Sequence, residues 1–364
     1  MKKYLVGGAV RDLILKRKSK DFDYVILNTN EKELLNLGYR KISNNFPVFE
    51  HDSYKNCQFS LPRKEIKTGK GYSGFTVLTE NVSLYEDLKR RDFTINAMAL
   101  DENKNIIDYF SGLDDLKNKT LRHIGNHFSE DPLRIIRACR FQARYNFNIH
   151  NSTIDLIREM NKKNMLLEIP ASRFVQEFKS VEKDKKIKEF FNSLFNLNIF
   201  EILFPNVDLS LVSKQLKYID NSLNIIENLL IILYGQNQKV FINSLLYKGL
   251  SKKEQNIILY FIKYSKDIIE YNKKSIDDKV LFFNCPISLK IKRKKIFTIF
   301  LNRLNQYEFL LIYIQVLRII GFSINDKQIL KDWGRLEKTD LSSLTNSKSP
   351  YEDKFNLLKN QLQS

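Results

Sequence analysis

Glycine is unevenly distributed along this chain, and that constrains the fold more than any other feature. Eight of the twelve glycines precede residue 126, and the remainder reads as long apolar-periodic segments with few breakers. Tight turns between short strands favour glycine, whereas helix interiors exclude it. The first third therefore reads as strands mixed with helices, and the rest as helices. Strands are predicted at residues 3–6, 21–27, 41–49, 58–61 and 97–100, with helices over 9–15 and 31–36. From Asp131 onward the pattern is helical, with Pro132 placed as first helical residue after an Asp cap. Further helices are predicted at 151–160, 171–179, 184–197, 222–234, 252–264 and 308–321, and the polar tail from Lys338 reads as loosely held.

A chain of 364 residues is long enough for two or three packed units. With 43% hydrophobic residues and a mean hydropathy of -0.35, a soluble globular protein is expected. The apolar stretch after Met1, Lys2 and Lys3 stops at Arg11 and Asp12, too soon for a secretion signal. The richest apolar stretch, 309–322, is interrupted by Gln315 and Arg318, so no membrane span and a cytoplasmic location are expected. Cys57, Cys139 and Cys285 are odd in number and far apart, which argues for free thiols over disulfides or a zinc site. The formal charge of +18 suits a polyanionic partner. A composition crowded with Lys, Asn and Ile produces the same excess, so charge alone does not specify nucleic acid.

The chemistry is concentrated in three places. Asp21 and Asp23 follow the turn Gly7, Gly8, Ala9, Val10, Arg11, Asp12 by nine residues. Residues two apart on a strand share a face, so both carboxylates can converge on divalent cations beside a Gly-rich backbone that cradles phosphates. Phosphoryl and nucleotidyl transfer need both. Asp12, in the first turn of a helix, reads as a partner of the helix dipole and not as a ligand. The second place is Lys89, Arg90, Arg91, Asp92, where adjacent arginines suit a ribose and its phosphates. The third is Glu130, Asp131, Pro132, Leu133, Arg134. At 100° per residue Arg134, Arg137, Arg140 and Arg144 share one arc, with Ile135, Ile136, Cys139 and Ala143 opposite. Between Pro62 and Glu80, a segment with Gly69, Gly71, Gly74 and repeated basic residues reads as a loop, either a surface excursion or one that gates a substrate.

Taken in order, these motifs, with Phe46, Pro47, Val48 and Phe49, resemble the class II tRNA nucleotidyltransferase and poly(A) polymerase family, and within it the bacterial CCA-adding enzymes. The resemblance covers residues 1 to about 147 and weakens beyond. It implies an α+β protein: a polymerase-β-like nucleotidyltransferase head, a mixed β-sheet with helices, followed by an all-helical neck, body and tail. The corresponding spans are 1–120, 121–180, 181–265 and 266–364. It implies addition of C, C and A to the tRNA 3′ end from CTP and ATP, without a nucleic-acid template and with Mg2+, by a protein expected to be a monomer. Asp21 and Asp23 would be the catalytic metal ligands, Gly8 and Arg11 would contact the triphosphate, and Arg91 the nucleotide. Asp131 and Arg134 would template the base, and Arg137 and Arg140 would hold nucleotide phosphates.

The chain departs from the family pattern in three respects. All four histidines, His51, His123, His127 and His150, fall in the first 150 residues, so a C-terminal His-Asp phosphohydrolase module is not expected. Where relatives tend to carry a third carboxylate, the sequence reads Cys57, Gln58, Phe59, with Glu65 nearby. Lys16 and Arg17 replace a usual glycine after the first helix. A CC-adding or A-adding partial enzyme, a poly(A) polymerase, and a noncatalytic RNA-binding protein on the same scaffold are the alternatives. The basic run 290–295 suits contact with an RNA backbone and equally a solvated helix face.

Overall fold

A computed structural model describes residues 1–43, 46–67, 75–275, 277, 303–337 and 350–363. The glycine loop at 69–74, Cys285 and the basic run 290–295 lie outside them. The chain divides into two units, Met1–Pro205 and Asn206–Ser364.

The first unit is built on β1 (Lys2–Val6), β2 (Phe22–Leu27), β3 (Arg40–Lys41), β4 (Val48–Glu50), β5 (Cys57–Ser60), the separate hairpin β6 (Lys64–Lys67) and β7 (Phe75–Leu78), then β8 (Met98–Leu100) and β9 (Ile106–Asp108). Seven of these form one mixed sheet in the order β3-β4-β5-β2-β1-β8-β9. In the central strand β2, Val25 and Ile26 point to opposite faces. Val25 packs with Val6, Leu84, Leu88, Ala97 and Ala99, and Ile26 with Leu34, Tyr39, Phe49 and Phe59. Three helices accompany the sheet: α1 (Gly8–Ile14), α2 (Glu31–Asn36) and α3 (Leu84–Lys89). Helix α3 opens with a reciprocal cap between Ser83 and Glu86.

The strand predicted at 41–49 is two strands. Ile42 N–H already bonds the Val48 carbonyl across the turn, and Pro47 has no N–H to continue a ladder. Residue 21 precedes β2, one position later than expected for the strand start.

After α4 (Gly112–Lys117), a short parallel pair, β10 (Thr120–Leu121) and β11 (Asn148–Ile149), brackets α5 (Leu133–Tyr145). Pro132 has a helical φ of -61° just ahead of α5, as the cap reading requires. The apolar side of α5, with Ile135, Ile136, Cys139 and Ala143, is buried. There follow α6 (Asn151–Lys162), α7 (Ala171–Asp184), α8 (Ile187–Asn196) and α9 (Phe200–Leu203). Helix α7 outruns its predicted end and stops where Lys185 turns left-handed, which delays the next helix to Ile187. Edge-on contacts between Phe178 and both Phe190 and Phe191 join α7 to α8.

Among its described residues the second unit is helical: α10 (Leu209–Gln215), α11 (Ile225–Leu233), α12 (Gln238–Ile242), α13 (Lys252–Ile269), α14 (Arg303–Ile319), α15 (Asp326–Glu337) and α16 (Pro350–Gln363). Leu229 to Leu233 are buried without a break, so α11 is the hub. The tail read as loosely held carries α16. No helix of the described residues is long and apolar enough to cross a membrane.

Candidate active site

Pairing registers set the position of Asp23. It lies opposite Val6 of β1 and beside Gln58 of β5, with Asp21 just ahead of the strand. Both carboxylates line one concavity of about 640 Å3, together with Gln58, Tyr54, His51 and Lys55. Asp23 also lines a second concavity of about 250 Å3, shared with Gln58, Arg63, Arg90 and Arg91. Asp23 is thus the wall between an acidic hollow and an arginine-lined one. Burial of its carboxyl raises the Asp23 pKa; Arg91 pulls it down and the neighbouring Asp21 pushes it further up. The two carboxylates share one hollow and are hard oxygen donors, which fits a divalent cation. Gln58, an uncharged side chain, lines both concavities. Among the described residues no third His, Cys, Asp or Glu joins the pair to make a metal site.

The arginine side of the site is fixed by Asp87, which the sequence reading missed. Asp87 is fully buried on α3 and pairs with Arg90 at 2.8 Å and Arg91 at 3.2 Å. Burial would raise its pKa, but Arg90 and Arg91 prevail and hold it below the ordinary value. The i, i+3 and i, i+4 spacing of these residues carried the signal. Arg91 Nε is buried and has no hydrogen-bond partner. Gly7, at φ +72°, brings the backbone so close that a Cβ there would lie 2.6 Å from Arg91 Nη1. Gly8 opens α1 and packs against Arg11, whose Nη2 would be 3.2 Å from an added Cβ.

Arg11 itself is buried. It bonds Asp12 at 2.9 Å and Asn96, and stacks on the Tyr145 ring at 4.6 Å. Asp12 also accepts from Tyr145 Oη at 3.2 Å; it lies beyond the first turn of α1, so side-chain pairing with Arg11 and Tyr145 replaces the expected dipole role. From Asn96 the network passes to Asp92 at 2.8 Å, from Asp92 to Arg137 at 2.7 Å, and from Arg137 and Arg140 to Glu177 of α7 at 3.4 and 2.6 Å. Burial works against ionisation of Asp92, yet Arg137, the Asn96 amide and Arg134 hold its carboxyl well below the usual carboxylate range. Arg144 reaches Asp184 at 3.6 Å. The arginine arc of α5 therefore faces acids from the head and from α7. Nothing in the local sequence marks Glu177 as the partner.

Asp131 and Arg134 form a separate station. Arg134 donates to the carbonyls of His127 and Arg90, both at 2.6 Å, so it is tied to the chain immediately before Arg91. Asp131 is bound by Arg173 of α7 through both carboxylate oxygens, each at 3.1 Å. Of the expected residues, then, Asp21, Asp23, Arg91 and the Gly7-Gly8 turn come together. Asp131 and Arg134 lie at the start of α5, and buried Arg11 and Arg140 and half-buried Arg137 lie in the ion-pair network.

Comparison with known proteins agrees with this architecture. Residues 3–122 match the family model described as the poly A polymerase head domain, and 146–211 match the probable RNA and SrmB-binding site of polymerase A. A CCA-adding enzyme from Francisella tularensis subsp. novicida is 44% identical over 211 residues, 57% of this chain and 56% of that protein. A multifunctional CCA protein from Mannheimia succiniciproducens is 43% identical over 211 residues, 57% of this chain and 50% of that one. The chain thus spans about half the length of the curated relatives it matches. A solved CCA-adding enzyme in an apo form has the same fold, with a TM-score of 0.70 at 19% identity, covering 100% of this chain and 88% of the other. Head motifs, mixed sheet and helical remainder agree, and the chain carries the head and RNA-binding domains of the poly(A) polymerase family.

Proposed function

We propose that this protein adds C, C and A to the 3′ end of tRNA from CTP and ATP, without a nucleic-acid template. The observation that carries the reading is Asp23 as shared wall, with Asp21 on one side and Arg63, Arg90 and Arg91 on the other. The names of both curated relatives support the choice of reaction.

In this reading Asp21 and Asp23 hold Mg2+, which when bound neutralises the triphosphate and lowers the pKa of the attacking 3′ hydroxyl. Arg91, which the Gly7 backbone approaches closely, receives the phosphates in the arginine-lined hollow, with Gly8 of the same turn contacting the triphosphate. Asp131 and Arg134 read the base, an acceptor and a donor matching an edge that offers an amino group and a ring nitrogen. For Arg11, Arg137 and Arg140 the contacts favour a different role from direct phosphate binding. Their guanidinium groups are held by Asp12, Asn96, Asp92 and Glu177, so they join α1, the Arg90-Arg91 segment and α7 into one frame. We further propose a cytoplasmic monomer with tRNA as its macromolecular partner.

The family model's own description favours one second reading, a poly(A) polymerase. Purified protein is incubated with Mg2+, each nucleotide in turn, and tRNA trimmed of its terminus, and the products are sequenced. Addition limited to C, C and A supports the proposal. Long A tails on unrelated RNA support the second reading, and no incorporation removes both.

A further inference from the structure

We infer that Arg173 is a positioning residue that limits Asp131 to a single open acceptor and thereby sets which bases the site takes. The inference rests on the proposal that Asp131 reads the incoming base.

An ionised carboxylate offers about four in-plane acceptor positions, two on each oxygen. Asp131 Oδ1 accepts from Leu133 N–H at 3.2 Å and from Arg173 Nη1 at 3.1 Å, which fills both of its positions. Oδ2 accepts from Arg173 Nη2 at 3.1 Å and keeps one. The planar guanidinium also fixes the carboxylate plane, so that remaining lone pair points in a set direction. An acceptor in a set direction demands a donor. Cytosine and adenine present an exocyclic amino group there, whereas uracil and guanine present a carbonyl oxygen, which an anionic acceptor repels.

The plain alternative is that this ion pair only docks α7 against the start of α5. Docking has a second and more deeply buried link, because Glu177 on α7 already binds Arg140 of α5 at 2.6 Å. The Arg173–Asp131 pair is less enclosed, with side-chain exposures of 21% and 23%, so an incoming base can reach it. Two arginine links with different exposure divide the work between fastening and orientation.

The test uses the full chain, trimmed tRNA and single-nucleotide incorporation with each of the four nucleotides. It compares wild type, Asp131→Ala, Arg173→Gln, Arg173→Lys and the Asp131→Ala/Arg173→Gln double variant. We expect Arg173→Gln to lower the preference for CTP over UTP by about tenfold, the scale of one lost directional base contact. The loss should come mainly from a raised KM for CTP, and tRNA retention should be unchanged. Arg173→Lys, which keeps the charge but not the planar fork, should recover part of the preference. If Arg173→Gln does not fold, the lysine variant carries the comparison. In the double variant discrimination should equal that of Asp131→Ala alone, since the oriented group is gone. Wild-type discrimination in the Arg173 variants alongside a loss in Asp131→Ala would overturn the inference and leave the base-reading proposal intact. A double variant clearly less selective than Asp131→Ala would overturn it likewise. Unchanged selectivity in Asp131→Ala would remove the base-reading proposal and this inference together.

Discussion

A methyl group on Gly7 would sit 2.6 Å from Nη1 of Arg91. The first turn of the chain and the arginine motif more than eighty residues later are therefore one piece of structure, made possible by a missing side chain and a φ of +72°.

Gly7→Ala should consequently damage function more than folding. The backbone at φ +72° and ψ -134° is one that residues with a Cβ rarely adopt, at a cost of roughly 1–3 kcal/mol, and the guanidinium, being the end of a flexible side chain, moves aside. Arg91 then leaves its place beside Asp23. Thermal unfolding should shift by a few degrees while nucleotide incorporation falls by about tenfold or more. Wild-type incorporation in a folded variant would show that the position of Arg91 is unimportant.

Asp92 gives a pH prediction with a definite sign. Its folded pKa lies below the unfolded value of about 3.9. Its contribution to stability is therefore complete above the unfolded pKa and is lost as pH falls through the folded one. Denaturant unfolding from pH 7 down to pH 3 should show stability decreasing below about pH 4, with a shallower decrease in Asp92→Asn. At neutral pH the same variant should be less stable by about 1–3 kcal/mol, because half-buried Arg137 loses one of its two carboxylate partners and keeps Glu177. Equal slopes in the two proteins would contradict the assignment.

Asp23 behaves in the opposite sense. Its pKa is raised by burial, with Asp21 adding to the effect, so its ionised form detracts from stability at neutral pH and protonation relieves this as pH falls. Removing the neighbouring charge in Asp21→Asn should leave metal-free stability unchanged or slightly higher, within about 0.5 kcal/mol. Excess magnesium should raise the unfolding temperature of wild type and do so less in the variant. An equal magnesium shift in both would place the cation elsewhere.

What the sequence made legible was local. Asp21 and Asp23, the Gly7-Gly8 turn, and Arg90-Arg91-Asp92 are short runs whose chemistry can be read without knowing the fold. The α5 arginines were legible as an arc, since helical spacing fixes their common direction. Their partners were not. Glu177 lies 37 residues beyond Arg140, and only the packing of α7 on α5 brings it there; Arg173 meets Asp131 by the same packing. The misread strand at 41–49 has a different origin, since Ser43, Asn44, Asn45 and Pro47 are turn formers that already mark a break in the sequence.

The account depends most on Asp21 and Asp23 acting together as the metal-holding pair. Incorporation of CTP and ATP into trimmed tRNA, measured with tRNA binding on the same preparations of wild type, Asp21→Asn and Asp23→Asn, tests this directly. The account predicts that both variants retain tRNA and lose incorporation by about three orders of magnitude or more. Wild-type incorporation by either variant would contradict it.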